Sequence, residues 1–194
     1  KILKVLTPEN FEHIDSEKIM IERIVEKSSG VEVKVKTHIL RSKPIIAKKN
    51  NWKEKLGLNK NLRPEKYTKN DLSENGDDLV IDKATGLLWE KSGSEKLLKY
   101  FEVREYIIKV NQKKFAGNHK WRLPTTAELG SLLEPEKNSS GLYIDPIFDS
   151  NKPCCWTSDN LFTGEAFVVI FDLGEIYWDV PVHRNCVRLV CQTQ

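Results

Sequence analysis

Hydrophobic and polar residues alternate along this chain in two textures. Up to about residue 40, Thr7-Pro8-Glu9-Asn10 can start a helix, with Thr7 as cap and Pro8 in the first turn. Phe11, Ile14, Ile19, Ile21, Ile24 and Val25 supply its apolar positions, and Gly30 can stop it. Val31, Val33 and Val35 then alternate with Glu32, Lys34 and Lys36, the period of a half-buried strand, and Ile2 to Leu6 is a candidate for another. The expectation for residues 1–40 is a small strand, helix, strand extension or the edge of a larger domain. It is too small to be stable without a neighbour to pack on.

From Asp77 the pattern shortens. Leu79 to Asp82, a turn closed by Gly86, and Leu87 to Trp89 read as a hairpin. Leu97, Phe101, Tyr106, Ile107 and Val110 fall near helical spacing over Leu97 to Asn111. Thr125-Thr126-Ala127-Glu128 is a capping box that opens a second helix through Leu132 and Leu133. Beyond Gly141 everything reads as β: Ala166 to Phe171 and Ile176 to Val180 join through a turn at Asp172 to Glu175, and Cys186 to Cys191 forms a last apolar run.

Charge divides the chain at the same place. Of 31 Lys and Arg and 28 Asp and Glu, residues 1–70 hold 17 and 9, net +8, which leaves 14 and 19, net −5, for residues 71–194. The excess is densest from Arg41 to Lys69, so residues 41–70 read as a basic linker or lead-in that packs on the acidic body. Polyanion binding through this stretch is the alternative. Trp52 and Tyr67 are its only aromatics for stacking, and no specific nucleic-acid partner is expected. No apolar run approaches the roughly 20 residues of a membrane span. The chain begins at Lys1 without an initiator Met, so a processed chain or a piece of something larger is expected, and the compartment stays open.

Candidate chemistry is sparse. Cys154, Cys155, Cys186 and Cys191 allow three disulfide pairings, but cysteine is among the most buried residue types, and free buried thiols are the expectation. His13, His38, His119 and His183 lack zinc-ligand spacing, and phosphate loops and a nucleophile elbow are absent. Acidic pairs such as Asp145 with Asp149 read as turn carboxylates before calcium ligands.

Five motif pieces occur in order: Val80-Ile-Asp-Lys-Ala-Thr-Gly-Leu-Leu-Trp89; Phe115-Ala-Gly117 before Trp121-Arg-Leu-Pro-Thr125 with Glu128-Leu129; Tyr143-Ile-Asp-Pro146; Trp156-Thr-Ser158; and Val187-Arg188. Residues 71–194 thereby resemble the Lcl C-terminal-domain-like family, a bacterial module related to the C-type-lectin and formylglycine-generating-enzyme folds. Lys120 and Cys191 stand where the family usually has Asp and Arg. The resemblance implies an α+β, C-type-lectin-like domain with two helices packed on a twisted, mainly antiparallel β arrangement. In that scaffold Trp89, Trp121 and Trp156 are core indoles whose N–H finds a partner, and Arg122 is held by a carboxylate such as Glu128 or Asp145. Thr125 and Arg188 complete the structural set.

The expected function is a non-enzymatic recognition module for a protein or glycan, with no cofactor and no catalytic residues. Its candidate contacts are Asp159, Asn160, Phe162, Tyr177, Trp178, Asp179, His183, Arg184 and Asn185, aromatic and hydrogen-bonding side chains between the late strands. A copper-dependent oxidase of the formylglycine-generating type is a remote alternative, because Cys186 and Cys191 share the five-residue spacing of that family's copper thiolates. The Val187-Arg188 match falls between the two, however, and an odd separation along a regular strand points them to opposite faces.

Overall fold

The computed structural model describes residues 19–26 and 32–193. Strand β1 (Ile19–Glu26) pairs antiparallel with β2 (Glu32–Ile39), Ile19 facing Ile39. The helix expected through Ile19 to Val25 is therefore a strand. Its run of Ile and Val has little χ1 freedom in a helix, and the alternating segment beside it offers a ladder partner. The first strand and the helix cap at Thr7 lie outside the described residues. The hairpin meets the rest of the chain where His38 N–H donates to the Ala84 carbonyl at 2.6 Å.

Residues 41–70, expected from their charge to be a linker or lead-in, put Ala47, Trp52 and Leu58 into the core. Two short elements anchor them, β3 (Ile46–Ala47) and the single-turn helix α1 (Trp52–Lys55). The body then begins with β4 (Leu72–Glu74), β5 (Leu79–Asp82) and β6 (Leu87–Glu90). The expected hairpin is present, with Val80 opposite Trp89. Its motif is a turn device. Buried Asp82 accepts from the N–H groups of Asp71 and Ala84 and from the Thr85 hydroxyl, at 2.9, 3.0 and 2.6 Å, while Gly86 takes φ +71°.

The helix expected from Leu97 starts six residues late. Leu98–Lys99 is instead strand β7, followed by one 3-10 turn, Tyr100–Glu102, and then α2 (Val103–Gln112). The Glu102 carboxylate accepts from Lys99 N–H at 2.8 Å and closes that turn, which leaves Leu97 and Phe101 exposed. Helix α3 (Thr126–Gly130) begins at the predicted capping box but lasts only five residues, and Leu132 and Leu133 sit in the turns after it. Thr125 accepts from Glu128 N–H at 3.2 Å, and Glu128 accepts from Thr125 N–H at 2.9 Å. Thr125→Ala is expected to cost about 1 kcal/mol in urea denaturation, the usual worth of an N-cap.

The late strands are β8 (Cys154–Leu161), β9 (Ala166–Ile170), β10 (Glu175–Asp179), β11 (Arg184–Asn185) and β12 (Val190–Gln192). They form one sheet ordered β10-β9-β8-β3, antiparallel except for β3 beside β8, a second ordered β12-β6-β5-β4, and the two-stranded pair β11-β7. The architecture is α+β with few helices. The run Cys186 to Cys191 is not one strand: β11 ends at Asn185, β12 starts at Val190, and the intervening chain crosses between the sheets.

Strands β8 and β9 are buried on both faces, which is why β9 reads as a continuous apolar run instead of an alternation. One face joins Cys155, Leu161, Phe167, Val169 and Phe171 to Trp89, Leu129 and Leu133; the other joins Trp156, Ala166 and Val168 to Trp121, Val103 and Leu189.

Candidate functional site

The structural motif residues all fall in or against this core, and each has an identifiable task. Trp121 and Trp156 are buried, and their indoles donate to the carbonyls of Phe115 at 3.0 Å and Leu98 at 2.7 Å. The Trp89 indole is also buried but has no acceptor among the described residues, which departs from the expectation. Arg122 makes a two-pronged contact with Glu128 at 2.7 and 2.6 Å. The alternative partner, Asp145, instead accepts from Ile147 N–H at 2.8 Å and shapes its own turn. Arg188 is buried, donates to the Glu90 and Lys91 carbonyls, and lies over the Phe148 ring at 4.7 Å. Burial lowers its pKa and raises that of the neighbouring Glu90, whose carboxylate accepts from Leu189 N–H and the Tyr106 hydroxyl.

The expected ligand contacts separate into buried and exposed groups. Asp159, 0% exposed, is not a loop residue. Its carboxylate accepts from Arg41 at 2.9 and 2.6 Å and from the N–H groups of Ile45 and Thr126, both at 2.8 Å. It thus fastens the basic lead-in to the start of α3, where the Thr125 hydroxyl also donates to the Arg41 carbonyl at 2.6 Å. Asn160 is half-buried and donates to the Tyr100 hydroxyl at 3.1 Å. Asn185 is buried and donates to Asp179 at 2.9 Å. These three have internal tasks, a consequence of their positions on strands β8 and β11.

The exposed members gather at one end of β10. Asp179 stands opposite Ala166 in the register, which places the end of β10 beside the turn that joins β8 to β9. Phe162, in that turn, is 80% exposed. Tyr177 and Trp178 stack with ring centroids 4.8 Å apart, Trp178 half-buried against the core and Tyr177 37% exposed. Trp52, buried under this surface, meets Tyr177 edge-on at 5.7 Å. Lys49 lies 5.0 Å over the Trp178 ring and 2.9 Å from Glu165. The Thr163 hydroxyl and the Lys49 ammonium hold the Glu165 carboxyl down, at about 2. Farther along, Asp179 contacts His183 Nδ1 at 2.7 Å, and Arg184 pairs with Glu102 at 3.1 Å.

Lys49 and Glu165 belong to this surface and Trp52 supports it from beneath, and none of the three was among the expected ligand contacts of the recognition module. The usable signal was Trp52, a tryptophan in an otherwise charged stretch. The basic segment that supplies Lys49 is partly neutralised on the body. Arg41 pairs with Asp159 and Lys49 with Glu165, while Arg63 donates to the Leu173 carbonyl and covers the Tyr143 ring at 4.3 Å.

Cys186 and Cys191 point into different halves of the core. Cys191 accepts from Asn118 Nδ2 at 3.0 Å, whereas Cys186 faces Cys155. Among the described residues no three of His, Cys, Asp and Glu are grouped as metal ligands, and no helix is long and apolar enough to cross a membrane. Lys120 lines a cleft of about 460 Å³ with Asn118, Arg122, Gln192 and Thr193, and Asn118 joins that cleft to Cys191.

The order of motif pieces, the buried tryptophans and the Arg122–Glu128 pair define a structural signature. The chain belongs to the Lcl C-terminal domain family, whose model matches residues 78–191. No curated protein and no solved structure matches it.

Proposed function

We propose that this chain is a non-enzymatic, C-type-lectin-like recognition module that binds a protein or glycan through the end of β10 and the β8–β9 turn. The observation that carries the reading is the Tyr177–Trp178 stack with Lys49 over the Trp178 ring, at the end of the sheet where the β8–β9 turn exposes Phe162. Rigid aromatic faces with a flanking charge suit both an interface hot spot and a sugar ring. Among the described residues no three of His, Cys, Asp and Glu group at this surface as metal ligands. Asp179 is hydrogen-bonded to His183, the Val180 N–H and Asn185, with no nucleophile among these partners in the described residues, and the cysteine pair that could imitate a copper site is divided between the two halves of the core.

The test is a panel of immobilised oligosaccharides, heparin and extract proteins of the native organism, probed with wild type, Phe162→Ala, Tyr177→Ala and Arg184→Ala over a salt series. For the true ligand, at least one variant is expected to lose about 1–4 kcal/mol of binding while its melting temperature is unchanged. Binding that ignores all three substitutions and collapses between about 50 and 200 mM salt would instead assign the activity to Arg41 to Lys69 as a polyanion site.

A further inference from the structure

Two of the four cysteines are placed opposite one another by backbone pairing. Trp156 N–H donates to the Cys186 carbonyl at 3.0 Å, and Cys186 N–H donates to the Cys154 carbonyl at 2.9 Å. These two bonds flank Cys155 and make Cys155 and Cys186 direct partners in a parallel bridge. Paired strands lie roughly 4.7–4.9 Å apart, within the roughly 4.4–6.8 Å that separates the Cα atoms of a disulfide. Both side chains enter the same half of the core, with 0% and 1% exposure, and the Cys155 thiol donates to the Lys152 carbonyl at 4.0 Å. Cys154 and Cys191 belong to the other half.

From this placement we infer that Cys155 and Cys186 are a redox pair that closes to a disulfide by exchange with an external disulfide such as oxidised glutathione. The neighbouring Cys186 and burial push the Cys155 pKa well up. Cys155 beside it, with Lys152 and Arg188 nearby, draws the Cys186 pKa down, which makes Cys186 the first nucleophile in exchange by local opening. The Cys186 thiolate attacks one glutathione sulfur, breaks the glutathione S–S bond and releases one glutathione thiolate, which takes up the Cys186 proton. Cys155, losing its proton, then attacks the Cys186 sulfur, forms the Cys155–Cys186 bond and expels the second glutathione, which takes up that proton. Two protein thiols are oxidised and one glutathione disulfide is reduced to two thiols. Because the pair is sealed in the core, exchange belongs to folding or to local opening of the short β11 segment. The closed loop, about 30 residues from β8 to β11, would constrain the unfolded chain.

The experiment refolds the reduced, denatured chain with reduced glutathione alone or with a mixture of reduced and oxidised glutathione. Remaining thiols are counted with a maleimide, and linked peptides are mapped by mass spectrometry without reduction. In the oxidising buffer two thiols should remain, Cys155 and Cys186 peptides should be joined, and the urea midpoint should rise with a folding equilibrium constant larger on the order of a hundredfold. The double variant Cys154→Ser with Cys191→Ser should form the same link, which keeps the result readable if Cys155→Ala or Cys186→Ala folds poorly. Four free thiols after oxidative refolding, or a link through Cys154 or Cys191, would overturn the assignment.

Discussion

Replacing Trp121 with alanine is expected to destabilise the fold by about 3–5 kcal/mol, the range for removing a buried tryptophan. The residue is 2% exposed, rests against Phe115 with ring centroids 5.6 Å apart, and donates its indole N–H to the Phe115 carbonyl. Its own backbone is gripped by Asn111, whose side chain accepts from Trp121 N–H and donates to its carbonyl, both at 2.8 Å. Alanine keeps that grip, removes the ring, and takes from the Phe115 carbonyl one of its two donors, the Asn118 N–H at 3.0 Å remaining. Trp121→Phe removes the N–H and some ring volume, and should cost about 1–2 kcal/mol. Equilibrium denaturation in urea measures both. An unchanged midpoint for Trp121→Ala would remove Trp121 from the core and the motif from its architectural role.

Asp159→Ala is expected to cost a comparable amount, about 3–5 kcal/mol, for a different reason. Asp159 is the acceptor for four hydrogen bonds that join β8, α3 and the lead-in. Without it the Arg41 guanidinium loses its carboxylate, and the N–H groups of Ile45 and Thr126 lose their acceptor. Breaking a buried charge pair by deleting one partner is far more costly than the pair's net worth. Asp159→Asn keeps an acceptor oxygen and should fall between wild type and Ala. The measurement is a denaturation midpoint set beside ligand binding. A stable Asp159→Ala protein with weakened binding would return Asp159 to the recognition surface and take the lead-in clamp away from it.

Asp159 also shows where sequence reasoning stops. An aspartate, an asparagine and an aromatic near a turn look alike whether they face water or the core, and the partner of Asp159 lies 118 residues earlier. The Arg41 to Lys69 segment poses the same difficulty. Its charge density reads as a basic linker or lead-in resting on the acidic body, and only the folded chain shows Trp52 and Leu58 buried in the core and Arg41 committed to Asp159. Gly93 carried no visible signal either. Its φ is +68° and a Cβ there would come within 2.5 Å of the Val187 carbonyl, a close approach that exists only once β6 and the 186–189 crossing are assembled.

What the sequence by itself determined is local, or is carried by an ordered motif: the Thr125–Glu128 capping box, the Asp82 turn, the β5–β6 and β9–β10 hairpins, and the family of residues 78–191. These depend on partners a few residues apart, so propensity and hydrogen-bond chemistry act before any tertiary contact forms. Tertiary structure decided the strand at Ile19–Glu26, the late start of α2, the pairing of Cys155 with Cys186, and the meeting of Lys49 with Trp178. The first is selected by pairing with the adjacent strand β2, and the others require surfaces far apart in the chain to be brought together, so the free energy that selects them comes from pairing and burial that a window of single-residue propensities does not contain.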